Sequence, residues 1–245
     1  MGKVTIQNLT PLHPIELIGM EAGVCWGGNT VDPIKNYNRG LDCLNSGHMR
    51  TAEYPQIYMV LEGYSARVIR EFYTHIGGMP TRLQASTRYI DYNNFQYVIP
   101  PSVTKNAVAC GIYLKAMEDI STALKSLEAL GTPREDCGMI LPLCMTTTVV
   151  VRTNLRNLID MCKVRLCSRA YWEMRQLIMD ILKALKEYSN EWETVVDNFC
   201  KVKCEITGYC DEKNSCGRKP YTVQKAQAKV KNVSFGKILG KTDKQ

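Results

Sequence analysis

Two arginines, one side-chain amide and two hydroxyls fall within the eight residues Arg82-Leu83-Gln84-Ala85-Ser86-Thr87-Arg88-Tyr89. Arginine forks bind phosphate in bidentate fashion, and an amide can read the paired donor and acceptor of a pyrimidine edge. Arg82, Gln84, Ser86, Thr87 and Arg88 therefore suit an anion that carries a polar ring. The same residues also read as a solvated loop whose arginines make surface ion pairs. Taken alone, the loop favours that plainer reading.

A second set runs through Thr153-Asn154-Leu155-Arg156 and Arg165 to Arg169-Ala170-Tyr171-Trp172-Glu173-Met174-Arg175. Eleven residues make almost a whole number of helical turns, so Asn154, Leu158, Met161 and Arg165 share one face. Asn154 and Arg165 would stand about 16 Å apart there, the scale of a dinucleotide plus its substrate. Glu173 pairing with Arg169, and Trp172 serving as core, is the structural alternative.

Cys200, Cys204, Cys210 and Cys216 form a third set. Four thiols are enough for a tetrahedral zinc, although no CxxC pair is present. Free buried thiols are the other reading, since a reducing compartment leaves cysteines unpaired.

Local patterns supply the elements that would hold these groups. The segment up to about His48 reads as loops with short structured pieces. Ile57 to Leu61 is a strand-like apolar stretch, and Ser65 can cap a helix with Val68, Ile69 and Phe72 as its buried stripe. Gly77-Gly78 stops that helix, and Met79 to Thr87 reads as a loop. Phe95 to Ile99 alternates as a strand. Ala107 to Leu130 carries Ile112, Ala116, Ile120, Leu124 and Leu127 at helical spacing, closed by Gly131-Thr132-Pro133. A single helix from Asn154 to about Glu187, capped by Thr153, is predicted to be the longest element.

Composition narrows the class. The chain has 245 residues, 45% hydrophobic and 22% charged, with a net charge of +7. The whole excess lies between Gly217 and Gln245, so the preceding body is neutral. Nucleic-acid binding is disfavoured, because Tyr221 and Phe235 alone interleave the basic residues. The basic tail, with Val223, Val230, Val233 and Ile238, reads either as a short packing element or as solvated chain. No apolar run reaches the roughly 18 residues of a spanning helix, and the first residues lack a secretory pattern. The eleven cysteines then point to a cytoplasmic protein with reduced thiols. HExxH, GxSxG and Walker motifs are absent.

From about Ser46 to Arg175 the chain resembles the flavin-dependent thymidylate synthase family. Four pieces carry the likeness: Ser46-Gly47-His48 with Glu53; Ser86-Thr87-Arg88-Tyr89; Leu141-Pro142 followed by Thr147; and Thr153-Asn154 through Arg165 to Ala170-Tyr171-Trp172-Glu173. The resemblance implies methylation of dUMP to dTMP, with methylenetetrahydrofolate as carbon donor, NADPH as reductant and FAD as relay. It also implies a homotetramer with active sites at subunit interfaces. On this basis Ser86 and Arg88 bind dUMP, and Arg165 faces the uracil edge. Asn154, Arg156 and the Asn-equivalent Asp160 fall at flavin positions, and His48, Thr74 and His75 serve the flavin and folate region.

Departures from the family pattern are specific. Its Arg-His-Arg triplet is Thr74-His75-Ile76 here, the loop to Ser86 is two residues longer, and Gly138 stands at an expected arginine. Arg82 is placed to stand in for a lost arginine, and the Gly77 and Gly78 amides to meet a phosphate. The expectation is therefore an α+β fold with one catalytic domain over residues 1–199, built from a mixed or antiparallel sheet and long helices. A Cys-rich segment and basic tail would occupy residues 200–245. Alkylation or hydroxymethylation of another pyrimidine nucleotide, and a non-catalytic nucleotide-binding homologue, are the alternatives.

Overall fold

The computed structural model describes residues 2–221. Its strands are β1 (Lys3–Ile6), β2 (Gln56–Ser65), β3 (Thr81–Gln84) and β4 (Thr146–Asn154). They form one antiparallel sheet in the order β1-β2-β4-β3. Period-two alternation sets its faces, with Ile57, Met59 and Leu61 of β2 and Val149 and Val151 of β4 buried on one side.

The helices are α1 (Pro14–Cys25), α2 (Pro33–Asn45), α3 (Ala66–Phe72), α4 (Pro101–Thr104), α5 (Ala107–Ala129), α6 (Arg134–Cys137), α7 (Leu155–Arg165), α8 (Trp172–Tyr188), α9 (Asn190–Phe199) and α10 (Lys203–Thr207). Phe72, Leu158, Ile181 and Trp192 bring α3, α7, α8 and α9 into one core with the sheet. A smaller core of Phe95, Met117, Leu124, Cys137 and Met145 lies under α5. The α+β class stands.

Ser65 caps α3 by accepting from the Val68 amide, and Val68, Ile69 and Phe72 are its buried residues, as the pattern predicts. Elsewhere the structure departs from the sequence reading. The first 48 residues hold two packed helices, not mainly loops. Gly19 and Gly40 let α1 and α2 touch backbone to backbone, since a Cβ at either would lie within 2.0 Å of a main-chain oxygen of the other helix. Residues 81–84 form an edge strand where a loop was predicted. Residues 95–99 form no strand and make only a Tyr97–Met145 bridge.

The helix expected from Asn154 to Glu187 is two helices, α7 and α8, broken at residues 166–171. Asn154, not Thr153, is the cap of α7, and the longest element is α5 with 23 residues. On α5 only Met117 and Leu124 are buried; Ile112, read as core, is 69% exposed. The valine-containing part of the tail (Val223, Val230, Val233, Ile238) lies outside the described residues. No helix among the described residues is long and apolar enough to cross a membrane.

Candidate active site

Helix α7 starts where β4 ends, and Asn154 fixes that corner. Its buried side chain accepts from the Asn157 amide at 2.9 Å. Eleven residues later Arg165 ends the helix beside the end of α3. The start of α3 is fixed in turn by Glu173, whose buried carboxylate accepts from the Ser65 amide at 2.7 Å and the Ser65 hydroxyl at 2.5 Å.

Between these anchors Arg165 is held on two sides. Its Nε donates to His75 Nε2 at 2.8 Å, and one Nη donates to Glu71 Oε1 at 2.5 Å. Accepting at Nε2 requires the neutral tautomer with its proton on Nδ1. Burial first, then the Arg165 and Arg82 cations, lowers the His75 pKa to about 4. The imidazole is therefore neutral at ordinary pH and remains an acceptor. These bonds leave the other Nη of Arg165 available to a ligand.

Arg82 reaches back from β3 to the same turn. It donates to the carbonyl oxygens of His75, Tyr73 (3.3 Å) and Phe72 (3.5 Å). Its guanidinium lies over the Tyr73 and Phe72 rings, 5.1 and 5.3 Å from their centroids. A cation at the C-terminal carbonyls of α3 is electrostatically favourable, and burial lowers the pKa of this arginine. Arg82 thus builds the turn that carries His75.

Beside Glu71 opens a cavity of about 300 Å³ lined by Arg67, Arg70, Glu71, Thr74 and Leu143. Sequence reasoning missed Arg67, Arg70 and Glu71. Their signal was present as the spacing 67, 70, 71, 74, which places four polar side chains on one helical face. Thr74 donates its hydroxyl to the Glu71 carbonyl at 2.7 Å.

The phosphate-type residues form a separate group. Ser86 Oγ accepts from the Arg88 amide at 3.1 Å, and Arg88 Nε meets Glu135 Oε2 at 2.8 Å on the surface. Thr87 packs on Gly138, where an added Cβ would be 3.3 Å from its side chain. Gln84 Nε2 lies 3.4 Å from Thr147 Oγ1. Arg82 and Ser86 are four residues apart on an extended chain, about 13 Å. Within the chain the structure thus joins Arg82, His75 and Arg165 and sets Thr87 and Arg88 against Gly138 and α6.

A third group lies at the other end of α7. Arg156 Nη1 pairs with Glu53 Oε1 at 2.5 Å, both half-exposed, next to the exposed His48 turn. Asp160 is exposed and pairs with Lys163 at 2.7 Å. The Asn154 amide is enclosed by Gly78, so Asn154 is spent on the corner.

The four candidate metal cysteines are not one set. Cys200 is buried against Cys162, and that contact together with burial raises its thiol well above the usual value. Cys204, Cys210 and Cys216 instead line a cavity with Cys167. Among the described residues, the one group of three potential ligands within 4.8 Å of each other is His13, Glu16 and Glu191. There Glu191 is occupied in capping α1, accepting from the Ile15 amide at 2.7 Å and the Glu16 amide at 3.1 Å.

Comparison with known proteins places this architecture. A family model described as thymidylate synthase complementing protein matches residues 13–189. A protein of Nitratidesulfovibrio vulgaris named flavin-dependent thymidylate synthase is 31% identical over 187 residues, 72% of this chain and 74% of its own. Proteins with the same name from Clostridium tetani and Pyrococcus furiosus are 26% and 27% identical, covering 88% and 87% of this chain and 93% and 91% of theirs. A family match across residues 13–189, joined to the α+β fold described above, shows that the chain belongs to the flavin-dependent thymidylate synthase family.

Proposed function

We propose that this chain methylates dUMP at carbon 5 to give dTMP, using methylenetetrahydrofolate for the carbon, NADPH for the electrons and FAD as bound cofactor. The observation that carries this reading is the clamped Arg165, held by neutral His75 and Glu71 beside a cavity with two further arginines. A fixed guanidinium at the edge of a uracil stabilises negative charge on the ring and so makes carbon 5 nucleophilic. Because the cation is already aligned, little reorganisation is needed when that charge develops.

The residues present fit a flavin nucleotide at the far end of α7. Arg156 is exposed in an ion pair that a diphosphate can replace, and the exposed His48 ring lies on the neighbouring turn. In this reading Arg156 and His48 contact FAD, Asp160 flanks it, Thr74 and His75 border the nucleotide side, and Asn154 acts through the corner it caps. FAD, when bound, supplies the hydride.

Thr87 and Arg88 contact Gly138 and Glu135 and make no bond to Arg165, which supports a site completed between protomers of a homotetramer. The exposed apolar residues of α5, Val108 and Ile112, support such an assembly. The catalytic body is assigned to residues 1–199 and an extension to residues 200–245. All eleven cysteines are free, which supports a cytoplasmic setting.

Purified protein should be yellow, retain FAD and lose the flavin absorption when NADPH is added without oxygen. A colourless protein that neither keeps added FAD nor passes electrons to it would contradict the proposal.

A further inference from the structure

Residues 203–220 have almost no core of their own. Cys210 is the one buried side chain among them, and everything else is exposed or half-buried. The segment has one short helix, α10, followed by irregular chain. So short a piece of chain has too little apolar surface to order itself and needs a covalent or metal staple. What it has is cysteine: Cys204, Cys210 and Cys216, each six residues from the next.

These three thiols face a cavity of about 250 Å³, and the fourth thiol in its wall is Cys167. Cys167 belongs to the break between α7 and α8, two residues beyond Arg165. Approach of the extension to this break is visible in several contacts. Arg169 meets Glu212 at 3.5 Å, and Ser168 shares the cavity wall with Cys216. Cys210 is fixed by its amide, which donates to the Pro220 carbonyl at 2.9 Å.

We propose that Cys167, Cys204, Cys210 and Cys216 form a four-thiolate metal centre that fastens the extension to the α7–α8 break. The ligand is a thiophilic metal, either a zinc ion or an iron–sulfur cluster. Each thiol gives up its proton to solvent as it binds, so four thiolates around a zinc ion, or around an oxidised four-iron cluster, leave a charge of about −2. The cavity wall supplies the compensating cations: Lys163, Arg169, Lys203, Arg218 and Lys219. Asp211 and Glu212 in the same wall are already paired with Lys203 and Arg169. Lys163 and Arg218 are likewise paired, with Asp160 and Glu205, so a thiolate centre would share these cations with their present partners, and Lys219 adds a further positive charge.

Cys200 is excluded from this set, although it starts the cysteine run. Its sulfur belongs to the main core against Cys162. No three of the four proposed sulfurs lie within 4.8 Å of each other, so the metal must close the loop onto the break or span the gap as a cluster. The consequence for the protein is mechanical. The centre fixes the chain two residues after Arg165, at Cys167, between Leu166 and Tyr171, which pack on the main core.

The test uses the full chain produced in a reducing cytosol and purified without oxygen or chelator. Elemental and sulfide analysis should find about one zinc per chain, or about four irons with as much sulfide. Cys167→Ser and Cys210→Ser should lose most of that metal, while Cys200→Ser and Cys162→Ser keep it. In the unsubstituted protein Cys216, although on the surface, should resist alkylation until a mercurial displaces the metal. That measurement decides the matter even if a variant does not fold. A folded, metal-free chain with all four thiols reactive, disulfides among the four, or a Cys167→Ser protein with full metal content would overturn the assignment.

Discussion

Arg165 Nε donates to His75 Nε2 at 2.8 Å, which ties the last residue of α7 to the turn after α3. A cation and an imidazole are compatible at this distance only while the imidazole is neutral. The pH dependence of the protein follows from that.

Burial and the two neighbouring cations lower the imidazole from its ordinary 6.5 to about 4 on folding. Between these values the unfolded chain binds more protons, so stability is complete above pH 6.5 and falls as pH drops toward 4. Protonation would set His75 against the Arg165 and Arg82 cations. After allowance for solvent screening the loss is on the order of 2 kcal/mol. Thermal melts from pH 7.5 to 4 should show the decline, and His75→Gln, which keeps an acceptor and cannot titrate, should flatten this part of it. An equal slope in both proteins would show that His75 is not the group responsible.

Glu71 aligns the other arm of Arg165. Glu71→Gln keeps a polar side chain and removes the charge. It should lower kcat by about tenfold, less than the hundredfold or more expected for Arg165→Ala. Steady-state kinetics on both variants checks the order. If Glu71→Gln changes KM alone, Glu71 binds substrate and does not hold the arginine.

Gly78 has φ +70°, and a Cβ there would sit 1.9 Å from the Asn154 Nδ2. Gly78→Ala should combine backbone strain with a displaced helix cap, at a cost of about 2 to 3 kcal/mol. Denaturant melts should show it as a lower midpoint with an unchanged slope. A neutral substitution would mean that the corner of α7 is looser than described.

Much of this arrangement was legible in the sequence where the cause is local. Ser65 and the three apolar residues after it specify α3 within a few positions. The edge strand at residues 81–84 was not legible, because Thr-Arg-Leu-Gln has no strand pattern and is ordered by pairing with the distant β4. Nor was the break at residues 166–171, which contains neither Gly nor Pro. It is set by a distant contact, the buried Glu173 carboxylate on Ser65, which fixes where α8 must begin. Arg165 came from resemblance. Glu71 was missed because a lone carboxylate on a short helix reads as surface until its partner from another helix is seen.

That Glu173 contact offers its own check. Glu173→Ala would leave the buried Ser65 amide and hydroxyl without an acceptor, destabilising the protein by about 2 to 4 kcal/mol. Glu173→Gln, which can still accept, should cost less. Chemical denaturation of the pair gives the difference directly, and equal losses would place the effect in packing.

On α5, Val108 and Ile112 are 73% and 69% exposed, one turn apart on the same face. Placing aspartate at both should shift the protein toward monomer in sedimentation and reduce turnover, if sites are shared between protomers. Unchanged assembly would remove this face from the interface.

The central claim is that Arg165 activates a uracil ring held against a flavin. Release of deuterium from dUMP labelled at carbon 5, with methylenetetrahydrofolate, NADPH and FAD present, tests it most directly. The account expects release into solvent with dTMP formed in equal amount, little release from labelled UMP or dCMP, and loss of at least about a hundredfold in Arg165→Ala. Binding of dUMP without deuterium release, or release undiminished in Arg165→Ala, would contradict it.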